Sequence, residues 1–305
     1  FEEGRDGFAT SSIAFIAANL VIQLVVVYGS NRKLGVKKVA YEVLIVISMI
    51  KPAIDAKRVA NGDAQVENTV LDPERELVFT KCAEMFAESI PSCVLQVYAL
   101  MEAGDVGRSA VFSIVVSALF ISYTSTTISM DTDTNPTKRL NAPSFYGYFP
   151  DTKRNRVFIL MLIIAASHIL MKVLACTLLL LLSKTLFIVY MLSDIGLFLC
   201  FKLLRDDLHY WAPISGMLGW FGSITERLVM KTVVDFTLMI HMRHPFEMGP
   251  YWAISIILNQ IFCFVSVSLY RKHLDNRNVE YADYALDYAS DENGTSDSLL
   301  RCNTT

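Results

Sequence analysis

The sequence predicts an all-α protein, a multi-pass transmembrane helical bundle of about seven spans plus one short re-entrant or interfacial helix. Three observations point there. Of 305 residues, 53% are hydrophobic and only 19% are charged, with a mean hydropathy of +0.41; soluble domains run at roughly 45–50% and about 25%. The apolar residues gather into runs of about 20, the length that crosses a hydrocarbon core of about 30 Å. Lys and Arg collect in the short links between runs, which marks those links as cytoplasmic. The net charge of −3 gives a nucleic acid nothing to bind. Membrane lipids are the expected partners, with protein partners at a polar C-terminal tail.

Taken in order, Phe8–Tyr28 holds no charge and forms the first span. It is too long, and lacks the preceding basic stretch, for a signal peptide. Val39–Ile50 is short and contains Glu42, and Pro52 disfavours helix just before it; it reads as re-entrant or interfacial. Leu77–Met101 is a span despite Glu84 and Glu88. Ala110–Ser129 is uncharged and rich in Ser and Thr, which in a membrane bond backbone or neighbouring helices. Val157–Leu203 is too long for one helix and splits at Ser183–Lys184 into an antiparallel pair. Ala212–Ile240 is a span with Glu226, Arg227, Lys231 and Asp235, and Pro250–Tyr270 is the last, with Asn259 and Gln260. Gly216, Gly219 and Gly222 suit close helix packing or a hinge.

Arg32, Lys33, Lys37 and Lys38, then Lys51, Lys57 and Arg58, then Lys138 to Arg156, mark cytoplasmic links. They leave the C-terminus cytoplasmic, and a further helix ahead of Phe1 would put both ends inside. From Asp275 the chain is polar and acidic, too poor in apolar area to offset its ordering entropy. Two parts follow: a transmembrane helical domain, 1–270, and a flexible tail, 271–305. The six cysteines have no C-x-x-C spacing, and those in apolar stretches read as small buried hydrophobes. The plasma membrane is the expected location.

Two constellations carry charge into the spans. Lys81, Glu84, Glu88, Ser92 and Gln96 share a helical arc of roughly 120°. An ionised group at bilayer depth costs about 2.5–3.5 kcal/mol, while a Leu or Phe returns about 0.3–0.6. The glutamates must therefore face protein, water or a polar path, as a structural lock between helices or as a lipid, ion or proton path. Pro91 is expected to break the helix near its middle. On the second constellation, Arg227, Lys231 and Asp235 follow at four-residue spacing beside Glu226, and Lys231 can pair with Asp235 within the helix. Glu84 or Glu88 would reach Arg227 or Lys231 if the spans are neighbours. Asp194 and Lys172 are isolated intramembrane charges, the latter one turn beyond His168. His241 and His244 lack a third ligand, so no metal is expected. No nucleotide-binding, hydrolase or metalloprotease motif occurs, so neither an enzyme nor a cofactor is expected.

The stretch Glu84-x3-Glu88-Ser89-x-Pro91-x3-Leu95-Gln96-x-Tyr98 resembles the E-S-x-P-Q…L-Q-x-Y signature of the XK-related membrane proteins, with Ser92 where that family carries Gln. Lys51-Pro52…Asp55…Arg58 is similar to the family as well. The resemblance covers about residues 39–129. It implies phospholipid scrambling, or partnership with a lipid-transfer protein, along a charged path for headgroups. Glu84, Glu88, Pro91 and Gln96 are the residues on the motif, and the Glu226–Asp235 face with Asp194 is expected to border the same groove. The same buried charges would also suit a secondary transporter or channel for a small polar solute, and the tail and linker would suit a membrane scaffold.

Overall fold

The computed structural model describes residues 2–67, 69, 71–103, 107–141, 147, 149, 151–204, 217–238 and 257–276. Among them there is no strand. The helices are α1 (Glu2–Asn31), α2 (Val36–Ile47), α3 (Lys51–Ala60), α4 (Pro73–Glu84), α5 (Ile90–Ala103), α6 (Arg108–Thr134), α7 (Pro136–Asn141), α8 (Arg154–Leu182), α9 (Lys184–Leu204) and α10 (Met217–Thr237), then α11 over 257–276.

Among the described residues three helices are long and apolar enough to cross a membrane: Gly7–Leu34, Arg108–Thr134 and Arg154–Leu182. That is fewer than the seven expected, in part because of charge. α10 carries Glu226, Arg227, Lys231 and Asp235, and the 73–103 rod carries Arg75, Lys81, Glu84 and Glu88. The first residues of Pro250–Tyr270 lie outside the described residues, as do the tail from Arg277 and His241 with His244.

The expected split at Ser183 is present: α8 ends at Leu182 and α9 starts at Lys184. The core sits where α4–α5, α6, α8 and α10 meet, around Cys82, Cys93, Ile121, Ile169, Val173 and Val233. On α6, Ala118, Ser122, Ser125 and Ser129 are all buried at three- and four-residue spacing. Small side chains there let α8 approach closely, and the serines donate back to their own helix, Ser122 Oγ to the Ala118 carbonyl at 2.7 Å and Ser129 Oγ to that of Ser125 at 2.9 Å. Cys82, Cys93 and Cys176 are buried thiols as expected, whereas Cys200 is exposed.

α2 and α3 form a helical hairpin. Gly35 opens it at φ 91, which a side chain would strain. α3 starts one residue before Pro52, at its first turn where a missing N–H costs nothing. With 12 residues, α2 is about 18 Å long, too short to cross a bilayer. Its inner face buries Glu42, Ile45 and Val46. Its outer face and the turn expose Tyr41, Leu44, Ile47, Met49 and Ile50, each at least half accessible.

Candidate polar site

The rod from Pro73 to Ala103 carries the first constellation. Asp72 caps it by accepting from the Arg75 backbone N–H at 2.8 Å. The expected break at Pro91 is instead a single wide turn: Met85–Ser89 is π-helical, and regular helix resumes at Ile90. Pro91 has no N–H to give and its ring presses on the carbonyl four residues back. Widening one turn absorbs this without ending the helix.

Glu88 lies in that turn. It accepts from Asn19 Nδ2 on α1 at 2.7 Å, and Asn19 Oδ1 in turn accepts from Gln23 Nε2 at 2.9 Å. Asn19 and Gln23 are buried, so α1 offers Glu88 a relay of neutral amides. Glu84 pairs with Lys81 at 2.9 Å, and Gln96 Oε1 accepts from Ser117 of α6 at 3.3 Å. Lys81, Glu84, Glu88, Ser92 and Gln96 are all half-buried. Fifteen helical steps from Lys81 to Gln96 place them along about 22 Å. None is sealed in the core.

A second cluster centres on a buried cation, Lys231, with acids that are themselves part-exposed. Lys231 donates to Asp194 of α9 and to Asp235 of its own helix, the latter at 2.6 Å, so the expected Lys231–Asp235 pair is present. Its partner from another helix is Asp194, not Glu84 or Glu88. The expected link between the two constellations is therefore corrected for Lys231, because Lys81 and Asn19 already hold the two glutamates. His168 Nε2 donates to the Asp235 carbonyl at 2.9 Å, and Asn259 Nδ2 lies 3.3 Å from Nδ1. A carbonyl only accepts, so the ring proton sits on Nε2 and Nδ1 accepts. Lys172 donates to Tyr190 Oη at 2.8 Å beneath the stacked Tyr190 and Phe262 rings, 4.5 Å apart. His168 is fourteen residues from each end of α8 (Arg154–Leu182). This layer of α8, α9, α10 and α11 side chains thus lies at the middle of an apolar helix. Glu226 and Arg227 are on α10, and the structure describes nothing of their side chains.

The most buried charges were not among the expected site residues. Lys51 is 1% exposed and meets Asp55 at 2.6 Å, Glu76 at 2.7 Å and Glu42 at 3.6 Å. Arg58 closes the group on Glu42 at 2.6 Å and Asp55 at 3.3 Å. The cluster ties α2, α3 and α4 together. The signal for it lay in Lys51 and Asp55 at helical spacing beside Glu42, but Glu76 comes from another helix 25 residues on. Burial alone would raise the Glu42 carboxyl, yet hydrogen bonds from Arg58 and Lys38 and the charge of Lys51 hold it below its ordinary value. Asp55 goes the other way: burial outweighs Lys51 and pushes its carboxyl up, and its Oδ2 has no hydrogen-bond partner.

Among the described residues no group of three or more His, Cys, Asp or Glu side chains could hold a metal ion. No family model, no curated protein and no solved structure matches this chain.

Proposed function

We propose that this is a membrane protein that lets phospholipids change leaflet, in the manner the XK-related resemblance implies. The half-buried polar stripe from Lys81 to Gln96 carries the reading. A zwitterionic headgroup cannot enter hydrocarbon alone, because each unpaired charge there costs several kcal/mol. Lys81 offers a donor to its phosphate, and Glu84 and Glu88 offer acceptors to its ammonium. The acyl chains stay in lipid beside the outer face of α1, where Ile13, Val21 and Val25 are exposed. The stripe's length, about 22 Å by helical rise, is most of a hydrocarbon core of about 30 Å. Movement is downhill, so no cofactor or energy source enters. The reading goes with α2–α3 dipping into one leaflet, with a cytoplasmic C-terminus, which the loop charges favour, and with a plasma-membrane location.

The test is reconstitution into liposomes that carry a fluorescent lipid in both leaflets, followed by bleaching of the outer one. Scrambling leaves little signal protected; without it, half survives. Half surviving with both the full chain and a tail-cleaved form rejects the proposal.

One observation favours a second reading. The Lys231, Asp194, Asp235, His168 and Asn259 layer sits at the midpoint of α8, with Lys231, His168 and Asn259 buried. Secondary transporters bind small solutes at such a place. Gradient-driven uptake that disappears on Lys231→Met, with no lipid movement, selects it.

A further inference from the structure

The basic residues around the α2–α3 hairpin remain unused by the lipid path. Arg32 and Lys33 form the turn before α2, Lys37 is in its first turn, and Lys57 is in the last turn of α3. All four are exposed. Among the described residues none of them has a carboxylate within ion-pairing distance, whereas their neighbours Lys38 and Arg58 are both held by Glu42, at 3.0 and 2.6 Å. The Arg58–Glu42 contact also sets the height of α3: its last turn lies level with the second turn of α2. Lys57 therefore joins Arg32, Lys33 and Lys37 at one end of the hairpin.

The other end is apolar and unpartnered. Leu44, Ile47, Met49 and Ile50 are 50–65% exposed at and around the turn. From Lys37 to Ile47 the helix rises about 15 Å, which is half of a hydrocarbon core of about 30 Å. When the tip reaches the bilayer midplane, Arg32, Lys33 and Lys37 stand at the headgroup layer of the same leaflet, and Lys57, about one turn deeper, reaches that layer with its long side chain. A free cation there gains about 1 kcal/mol from an anionic surface.

We propose that Arg32, Lys33, Lys37 and Lys57 form a binding collar for anionic phospholipid headgroups of the leaflet that the hairpin enters. Its occupant is a resident lipid rather than one in transit. The Lys51 cluster holds the collar in shape: Glu42 fixes Arg58 and Lys38, so the two helices cannot splay and spread the four free charges. The collar does not depend on the lipid-path reading, since a transporter or scaffold with the same hairpin would bind the same lipid.

The test uses the full chain in mixed micelles containing phosphatidylserine or phosphatidylcholine, with the unfolding temperature as readout. Phosphatidylserine should raise it by several degrees over phosphatidylcholine, and inorganic phosphate should not replace the lipid. Replacing all four cations by Gln should remove that difference while leaving the temperature in phosphatidylcholine near that of the parent. Equal unfolding temperatures in the two lipids, or a full phosphatidylserine effect in the four-Gln variant, overturns the proposal. If that variant does not fold, a salt series on the parent decides: the phosphatidylserine effect must shrink between 50 and 500 mM NaCl, as screened surface charge requires, and an unchanged effect overturns the proposal. Failure here leaves the liposome result untouched, because that assay reads lipid movement and this one reads retention.

Discussion

The Lys51 cluster and the Lys81–Gln96 stripe use the same residue types and differ in closure. Around Lys51, acids from three helices converge on a cation 1% exposed. Along the stripe each charge has one local or neutral partner and remains half-buried, Lys81 with Glu84 and Glu88 with Asn19. A cluster buried around its cation gives a ligand little approach, and removing one member weakens the hold on the others. An open, thinly paired row has donors and acceptors to spare, and costs little to alter. Charge inside a helical bundle thus marks a lock or a path according to how many partners each group already has.

The largest expected effect breaks the lock. Lys51→Met removes the central cation, strips Glu76 of its ion pair and leaves Glu42 and Asp55 to Arg58 and Lys38. A loss of about 3–5 kcal/mol follows, read as the temperature or denaturant at which buried Cys82, Cys93 and Cys176 react with a thiol dye. A loss under about 1 kcal/mol would show that the cluster is not closed. Next, a double-mutant cycle on Lys231 and Asp194 should give a coupling of about 1–3 kcal/mol. A value near zero would place that layer with the open stripe.

Acid separates two members of the lock. The stability that Glu42 supplies is full above the ordinary carboxylate range and is lost as pH falls through its lowered value. Asp55 has the opposite sign: its charged form is the costlier one in the fold, so protonation at its raised value relieves it. Asp55→Asn should therefore cost less than Glu42→Gln, with a gap of about 1–2 kcal/mol, and acidification should narrow that gap. The reverse ranking would mean that the orphaned Asp55 oxygen has found a partner. The smallest structural effect belongs to the path. Glu84→Gln should change stability by less than about 1 kcal/mol yet slow lipid movement severalfold. Loss of stability without loss of movement would make the stripe a lock too.

How far these features could be read in advance depended on sequence distance. Val39–Ile50 was expected as a short helix interrupted near Pro52, and α2 ends at Ile47 with α3 beginning at Lys51. Lys231 with Asp235 lies within one helical turn, and that pair is present. Periodicity also grouped Glu84, Glu88 and Gln96 on one face. What periodicity could not supply was partners from other helices: Asn19 for Glu88, Asp194 for Lys231, Glu76 for Lys51. A buried charge announces that it needs company, but any of several helices can provide it. The span count was legible only in part: among the described residues three helices are long and apolar enough, and the other four expected spans carry charge or extend beyond those residues.

The widened turn at Met85–Ser89 has an effect on phase. One turn that takes up an extra residue offsets everything after it by about 100° relative to an ordinary helical wheel. On an uninterrupted wheel Ser92 and Gln96 drift steadily away from Glu84. With the offset Ser92 falls about 20° behind Glu84 and Gln96 about 20° ahead of it, and the fan of five side chains tightens from roughly 120° to about 80–100°. Pro91 then works as an aligning tooth in a gear: it sets back once the drift that 3.6 residues per turn imposes on a four-residue repeat, and keeps the polar groups in a narrower row than a regular helix would.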